Sequence, residues 1–329
     1  MSVFVTGGTG LVGSHVIQLL RSRGHQVRAL VRNGNGQQLV EAMGATPVFG
    51  AVENPDAWTH AAGVDAIVHA AAIVVARHDW LTFQSINIDG AKHAGITASE
   101  HGIQLVHISS VAVYGRGLRS TANEIDEYST LADLPETDYY ARSKRQAEAT
   151  IESLVRDRGL QAVSLRPCVI YGERDRTFLP HVVRILDRGF APLIGDGSNS
   201  LSVVYAGNVA DAVLAAIEHP EVTGPVNVTN DGDVTQREFY AAVGSALGKR
   251  VRLVRIPIPA AYLFAATRQR TRRALAPNKY AGFGPAAVSF LTNDNPYTSE
   301  RAQQELEWRP STAPSEAIAR SVRWFTEAR

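Results

Sequence analysis

One cysteine, Cys168, is all this 329-residue chain contains, so an internal disulfide is excluded and no cysteine cluster is left to hold a metal. A charge of one sign is also lacking. Against 33 Lys and Arg stand 32 Asp and Glu, a formal +1 that suggests no nucleic acid or other polyelectrolyte partner. No apolar run is long enough to span a bilayer, and the longest such stretch, Pro257 to Ala266, carries two prolines. The apolar start reads as a first strand rather than a signal peptide, so a cytoplasmic protein without a transmembrane segment is expected. Repeats and low-complexity linkers are absent, as is any Asp or Glu between Gly13 and Val40.

What is present begins at residue 2. Ser2-Val3-Phe4-Val5-Thr6 reads as a short buried strand, followed at once by Gly7-Gly8-Thr9-Gly10-Leu11-Val12-Gly13. Val12, Val16, Leu19 and Leu20 then recur at helical spacing up to Gly24. Strand, glycine turn and helix in that order are what a dinucleotide fingerprint needs. Small residues let backbone approach a pyrophosphate, and the helix start offers it free N–H groups.

Strands and helices alternate from there. Candidate strands are 25–31, 46–49, 66–70, 105–109 and 162–166, with helical stretches at 80–101 and 139–158. Alternating βα units with short apolar strands predict an α/β, Rossmann-type doubly wound parallel sheet. Prolines punctuate shorter elements after Pro167, so a smaller substrate lobe is expected over residues 171–202 and 230–329. The dinucleotide domain would comprise 1–170, with 203–229 returning to it.

Tyr140 and Lys144 stand four apart, on one face of a helix, with Ser110 thirty positions upstream of the tyrosine. A phenol with a pKa of about 10 is a poor acid or base at neutral pH. A nearby ammonium favours the phenolate, which makes Tyr140 a usable proton carrier for a carbonyl/alcohol pair. The weight of this pair comes from the glycine turn that opens the same chain.

Taken with Asp65-Ala66-Ile67-Val68-His69-Ala70-Ala71-Ala72, Asn87-Ile88-Asp89-Gly90, Ser109-Ser110-Val111-Ala112-Val113-Tyr114-Gly115 and Tyr140-Ala141-Arg142-Ser143-Lys144, these motifs resemble the extended short-chain dehydrogenases/reductases, also called the NAD-dependent epimerase/dehydratase family. Leu165-Arg166-Pro167, Tyr171-Gly172, Tyr205 with Asn208-Val209-Ala210, and Leu306-Glu307-Trp308-Arg309-Pro310 carry the resemblance nearly end to end. The resemblance implies that Ser110 hydrogen-bonds the substrate oxygen and Tyr140 passes the proton. It further implies that Lys144 lowers the pKa of Tyr140 and holds the nicotinamide ribose, and that Asn87 positions water or backbone in the proton path. It implies a cofactor site built from Thr6, Gly7, Gly10, Leu11, Val12, Gly13, Arg32, Ala70, Ala71, Ala72, Ser109, Tyr140, Lys144, Pro167 and Val169. It also implies a homodimer, because the helix matching 139–158 often builds a four-helix interface in this family. His69 and His107 read as packed histidines rather than bases, and the apolar stripe Ala147, Ile151, Leu154, Val155 as packing.

Departures narrow the reaction. Dehydratases of the family carry an Asp-Glu pair where this chain has Val111-Ala112, which move no protons. Sugar-nucleotide enzymes place a diphosphate-binding arginine where Leu201 stands, so an epimerase using transient oxidation is the second choice. A catalytically idle NADP-sensing protein is a third. The apolar stretch Val251–Phe264, with Ile73, Val74, Val75 and Trp80, is expected to line a nonpolar substrate cavity. Its pattern resembles the 3β-hydroxysteroid dehydrogenase and dihydroflavonol reductase branch, which implies a ketone or alcohol of a small hydrophobic substrate. Arg268, Arg270, Arg272 and Arg273 follow and read as a solvated face, with a membrane-surface role as the lesser alternative. With no acid after the glycines and Arg32 at the end of the second strand, the expected cofactor is NADP(H), with NAD(H) as the alternative. Ala51, where relatives often carry an adenine-contacting Asp, leaves that contact to backbone and packing.

Overall fold

A computed structural model describes residues 1–74, 78–115, 124–229, 232–275 and 284–327. The chain alternates as expected through β1 (Ser2–Thr6), α1 (Leu11–Ser22), β2 (Gln26–Val31), α2 (Gly34–Ala42), β3 (Thr46–Phe49) and β4 (Ala66–His69). It continues through α3 (Trp80–Phe83), α4 (Gly90–His101), β5 (Gln104–Ile108), α5 (Tyr139–Arg158) and β6 (Ala162–Pro167). Beyond these lie β7 (Val169–Tyr171), α6 (Leu179–Leu186), β8 (Phe190–Ile194), β9 (Val203–Tyr205), α7 (Ala206–Glu218) and β10 (Gly224–Val228). The last elements are α8 (Gln236–Ala246), β11 (Arg252–Ile256), α9 (Ile258–Leu275), α10 (Pro285–Thr292), α11 (Glu300–Glu305) and α12 (Pro314–Glu327).

Two compact units divide the chain: Met1–Cys168, Ala206–Thr229 and Tyr297–Ser311 in the first, Val169–Tyr205, Asn230–Pro296 and Thr312–Arg329 in the second. The first unit holds a seven-stranded sheet in the order β10-β6-β5-β4-β1-β2-β3, all parallel. Its central strands are apolar without alternation, as in β1, where Val3, Phe4 and Val5 are fully buried because helices cover both faces. The order reverses direction between β1 and β4, and a doubly wound sheet opens a crevice beyond its strand ends at that point.

Two boundaries differ from the sequence reading. Residues 203–205 do not join the main sheet. They form β9, paired with β7 in the second unit. Tyr297–Ser311 belongs to the first unit, where Arg301 donates to the Pro225 and Thr223 carbonyls beside β10 and the Trp308 indole donates to Asn208 O at 3.0 Å.

The second unit has its own core, in which Tyr171, Leu179, Val183, Leu201, Phe239 and Ile318 pack together. Leu201 is fully buried there. The stretch 251–264 does not act as one lining. Val251 and Leu253 lean on this core, Ala261 and Tyr262 pack in a smaller cluster with Ile194 and Val288, and Leu263 and Phe264 face outward. Val75 lies outside the described residues.

Candidate active site

The glycine turn leaves β1 at the reversal point. Gly7 has φ +71, a left-handed conformation, and a Cβ there would stand 2.7 Å from the Ala70 carbonyl carbon and the Ala71 nitrogen. The turn after β1 is therefore laid directly on the turn after β4. A Cβ on Gly13 would meet the Gly7 carbonyl oxygen at 2.3 Å, so α1 starts against the turn as closely as backbone allows. Thr6 ties the two strand ends: its hydroxyl is bonded to His69 Nδ1 at 2.9 Å and accepts from Ala71 N at 3.3 Å. Gly10 caps α1 with no side-chain hydrogen bond, which leaves the first N–H groups, on Leu11, Val12 and Gly13, without a side-chain cap.

This cradle fits a dinucleotide. A glycine-only surface admits a pyrophosphate against backbone, and the helix start supplies donors and positive potential to it. The Ser109 hydroxyl, buried at the end of β5, has no hydrogen-bond acceptor or donor among the described residues. Arg32 follows β2, is exposed, and makes no hydrogen bond or ion pair among them. Arg28 is committed elsewhere, donating to the His60 and Ala62 carbonyls at 3.0 and 3.1 Å. Ala70, Ala71 and Ala72 follow β4, and Pro167 ends β6, in register with Val228 of β10. Val169 opens β7 in the second unit.

Ser110, Tyr140 and Lys144 all lie in the first unit. Asp138 caps α5 by accepting from Ala141 N, which puts Tyr140 in the first turn and Lys144 one turn on. Ser110 caps the short turn Val111–Tyr114, its Oγ accepting from Ala112 N at 3.2 Å. The same hydroxyl acts electrostatically on the Tyr140 phenol.

Burial pushes that phenol up from its usual range, and the Ser110 side chain offsets part of the rise. The Lys144 side chain is buried, with Nζ donating to Ile108 O at 2.6 Å, which takes one of its three N–H donors. Burial lowers the lysine itself to about 8, against an opposing pull from Glu148 one turn further along α5. Glu148 is in turn gripped by Arg166, whose Nη2 lies 2.7 Å from Oε2 and whose Nη1 donates to the Tyr114 hydroxyl at 2.9 Å.

Asn87 shows what sequence periodicity could not. The expected single helix 80–101 breaks into α3, a wide π turn over Gln84–Asp89, and α4. Asn87 sits in that wide turn and is fully enclosed. Its Oδ1 accepts from Ile73 N at 2.9 Å, while Nδ2 donates to Ile73 O and to Ser143 Oγ at 3.0 and 2.9 Å. Ser143 donates to Tyr140 O at 2.8 Å. One amide thus pins the segment after β4 to the helix that carries Tyr140. Ser143 was not singled out by sequence; its place inside the Tyr140–Lys144 interval is the signal that could have found it. Trp80 and Tyr139 flank the site, with the Arg142 guanidinium 4.5 Å over the Trp80 ring.

His69 and His107 are stacked at 5.9 Å in the core behind the strand ends. Burial, assisted by the positive Lys144, holds His69 down at about 3 and His107 well below its usual value. Both are neutral packing groups. The stripe Ala147, Ile151, Leu154 and Val155 lies in the core beside α4.

A ketoreductase of Stigmatella aurantiaca, named for a 4-hydroxy-2-methyl-3-oxo-4-farnesyl-3,4-dihydroquinoline-1-oxide, is 30% identical over 308 residues, 93% of this chain and 91% of its own. A 3-beta-hydroxysteroid dehydrogenase of Mycolicibacterium neoaurum is 27% identical and is covered over 91% of its length by 99% of this chain. In structure, UDP-glucose 4-epimerase of Thermus thermophilus, solved with NAD, superposes over 100% of both chains with a TM-score of 0.74 at 24% identity, which shows the shared fold. Residues 3–230 match the NAD dependent epimerase/dehydratase family, and the chain belongs to it.

Proposed function

We propose that the protein is an NAD(P)-dependent oxidoreductase that interconverts a ketone and a secondary alcohol on a hydrophobic substrate. The observation that carries this is the placement of Tyr140 and a buried Lys144 one turn apart on α5, with Ser110 at the end of β5, in the unit that bears the glycine cradle. The dinucleotide, when bound, supplies or accepts the hydride. Tyr140 gives its phenolic proton to the carbonyl oxygen, and Ser110 orients that oxygen by donating to it. Lys144 places a positive charge one turn from the phenol and holds the nicotinamide ribose. Asn87 is a positioning residue, acting through Ser143 and the Tyr140 carbonyl. Gly7, Gly10 and Gly13 admit the pyrophosphate, and Arg32 pairs with a 2′-phosphate, which favours NADP(H) over NAD(H).

Support for a hydrophobic ketone comes from the ketoreductase and steroid dehydrogenase names of the relatives and from Val111-Ala112, which cannot serve dehydration. Leu201, buried in the second unit, offers no cation to a sugar diphosphate. The same reading includes a homodimer, which light scattering would register. The test is a panel of steroid, flavonoid, 3-oxoacyl and aryl ketones with NADPH and NADH, followed at 340 nm. Cofactor oxidation with a bulky apolar ketone is expected. Inversion of a UDP- or dTDP-sugar without net absorbance change, or micromolar binding of one by calorimetry, would replace this reading with an epimerase.

A further inference from the structure

Helix α9 carries its large apolar residues on the outside. Its packed side is mostly alanine: Ala261 and Ala265 are buried with Ile194 and Val288, and Tyr262 leans on the same cluster. The outward arc holds Leu263, 71% exposed, and Phe264, 61% exposed, together with Ala260, Thr267, Arg270 and Thr271. With about 100° per residue, those six positions fall within an arc of about 120°. A helix that serves only its own core does the reverse. Ile258 and Val254, 39% and 45% exposed, extend the apolar surface back along the chain into β11. The hydroxyls in the arc are already satisfied: Thr267 donates to Leu263 O at 2.8 Å and Thr271 to Thr267 O at 3.0 Å. Apart from Arg270, the arc therefore presents little that requires water.

Charge is the second observation. Residues 239–293 contain nine Lys and Arg and not one Asp or Glu, in a chain whose formal charge is +1. Arg250, Arg252, Arg255 and Arg270 are exposed. Two acids from outside the segment offset part of this, Asp187 by its pair with Lys249 at 2.6 Å and Asp196 near Arg255. What remains is an apolar arc that carries Arg270 and follows directly in sequence on the exposed Arg250, Arg252 and Arg255.

We propose that α9, with β11 leading into it, is a docking surface for an anionic lipid bilayer. Leu263 and Phe264 would enter the headgroup boundary while the arginines meet lipid phosphates. Among the described residues no helix is long and apolar enough to cross a membrane, so α9 lies on the surface rather than through it. A second copy of this chain is the poorer occupant, because across a two-fold axis the basic segment would face itself. The proposal goes beyond the oxidoreductase reading and does not depend on it.

Sedimentation of the full chain with vesicles tests it. We expect pelleting with phosphatidylcholine–phosphatidylserine vesicles, about tenfold less with phosphatidylcholine alone, and release as salt is raised. The double variant Leu263→Ser/Phe264→Ser and, separately, Arg255→Glu/Arg270→Glu should each lower partitioning about tenfold while keeping the far-UV dichroism of the parent. If the first variant fails to fold, the charge reversal decides alone. Equal binding to neutral vesicles, or undiminished binding by the variants, would overturn the proposal. So would lipid-free sedimentation velocity showing a dimer that the Leu263→Ser/Phe264→Ser variant splits, since that would assign the face to a second copy. Turnover enters none of these readouts, so their failure leaves the oxidoreductase reading standing.

Discussion

At Tyr140 two opposing effects meet: burial raises the phenol, and the Ser110 hydroxyl lowers it. In the proposed reaction the proton relay rests on the phenol oxygen itself. Tyr140→Phe should therefore lower kcat by about 10²–10⁴-fold with cofactor affinity nearly unchanged, measured by steady-state kinetics and NADPH fluorescence titration. Lys144→Met should damage both, because the same ammonium serves phenol and ribose. A Tyr140→Phe enzyme that keeps most of its kcat would remove the assignment. Arg32 is the other residue on which a single charge decides an outcome. It stands at the end of β2 without a partner among the described residues and with no acid before Glu41, so wild type should prefer NADPH in kcat/KM. Arg32→Asp should shift the ratio toward NADH by about tenfold or more, since a carboxylate repels a 2′-phosphate and accepts from a ribose hydroxyl. An unchanged ratio would show that Arg32 does not read the phosphate.

Among the elements, the turn between β1 and α1 has the least room. A methyl at position 13 would lie 2.3 Å from the Gly7 oxygen, which is backbone and cannot swing aside. Gly13→Ala should cost about 1–3 kcal/mol in urea unfolding and abolish dinucleotide binding, both measurable on one preparation. Normal cofactor affinity in a folded Gly13→Ala protein would argue that the cradle does not hold the pyrophosphate. The glycines were legible in sequence because they combine spacing with a strand before and a helix after. The π turn at Gln84–Asp89 was not: its cause is the enclosed Asn87 amide reaching Ile73 and Ser143, partners 14 and 56 positions away. Helix periodicity carries no trace of such contacts.

For the molecule as a whole, the buried histidines set a pH dependence. His69 is held at about 3 and His107 well below its usual value, whereas the unfolded chain takes up protons near 6.5. Between those limits the unfolded state binds more protons, so stability falls as pH falls. The contribution of the pair is complete above about 6.5 and drains by up to about 1.4 kcal/mol per pH unit for each histidine on the way down. Urea unfolding from pH 7.5 to 5 should show this slope, and His69→Gln/His107→Gln should flatten it. An identical slope in the variant would place the acid sensitivity elsewhere.

Fold class, strand order of appearance, the glycine turn and the Tyr140–Lys144 spacing follow from local patterns: apolar runs, turn chemistry and spacing along one helix; Ser110 comes only from the family resemblance. These are short-range properties, and the chain carries them residue by residue. Which atom each group meets is decided by the tertiary structure. Lys144 donates to the Ile108 carbonyl because β5 ends beside α5. Tyr297–Ser311 joins the first unit because Arg301 and Trp308 find carbonyls in residues about 75 to 100 positions upstream. Leu263 and Phe264 read in sequence as lining of a substrate cavity, yet face outward while the alanines beside them pack with Ile194 and Val288. Hydrophobicity says how much a side chain gains by leaving water, and only packing says which side of a helix is filled.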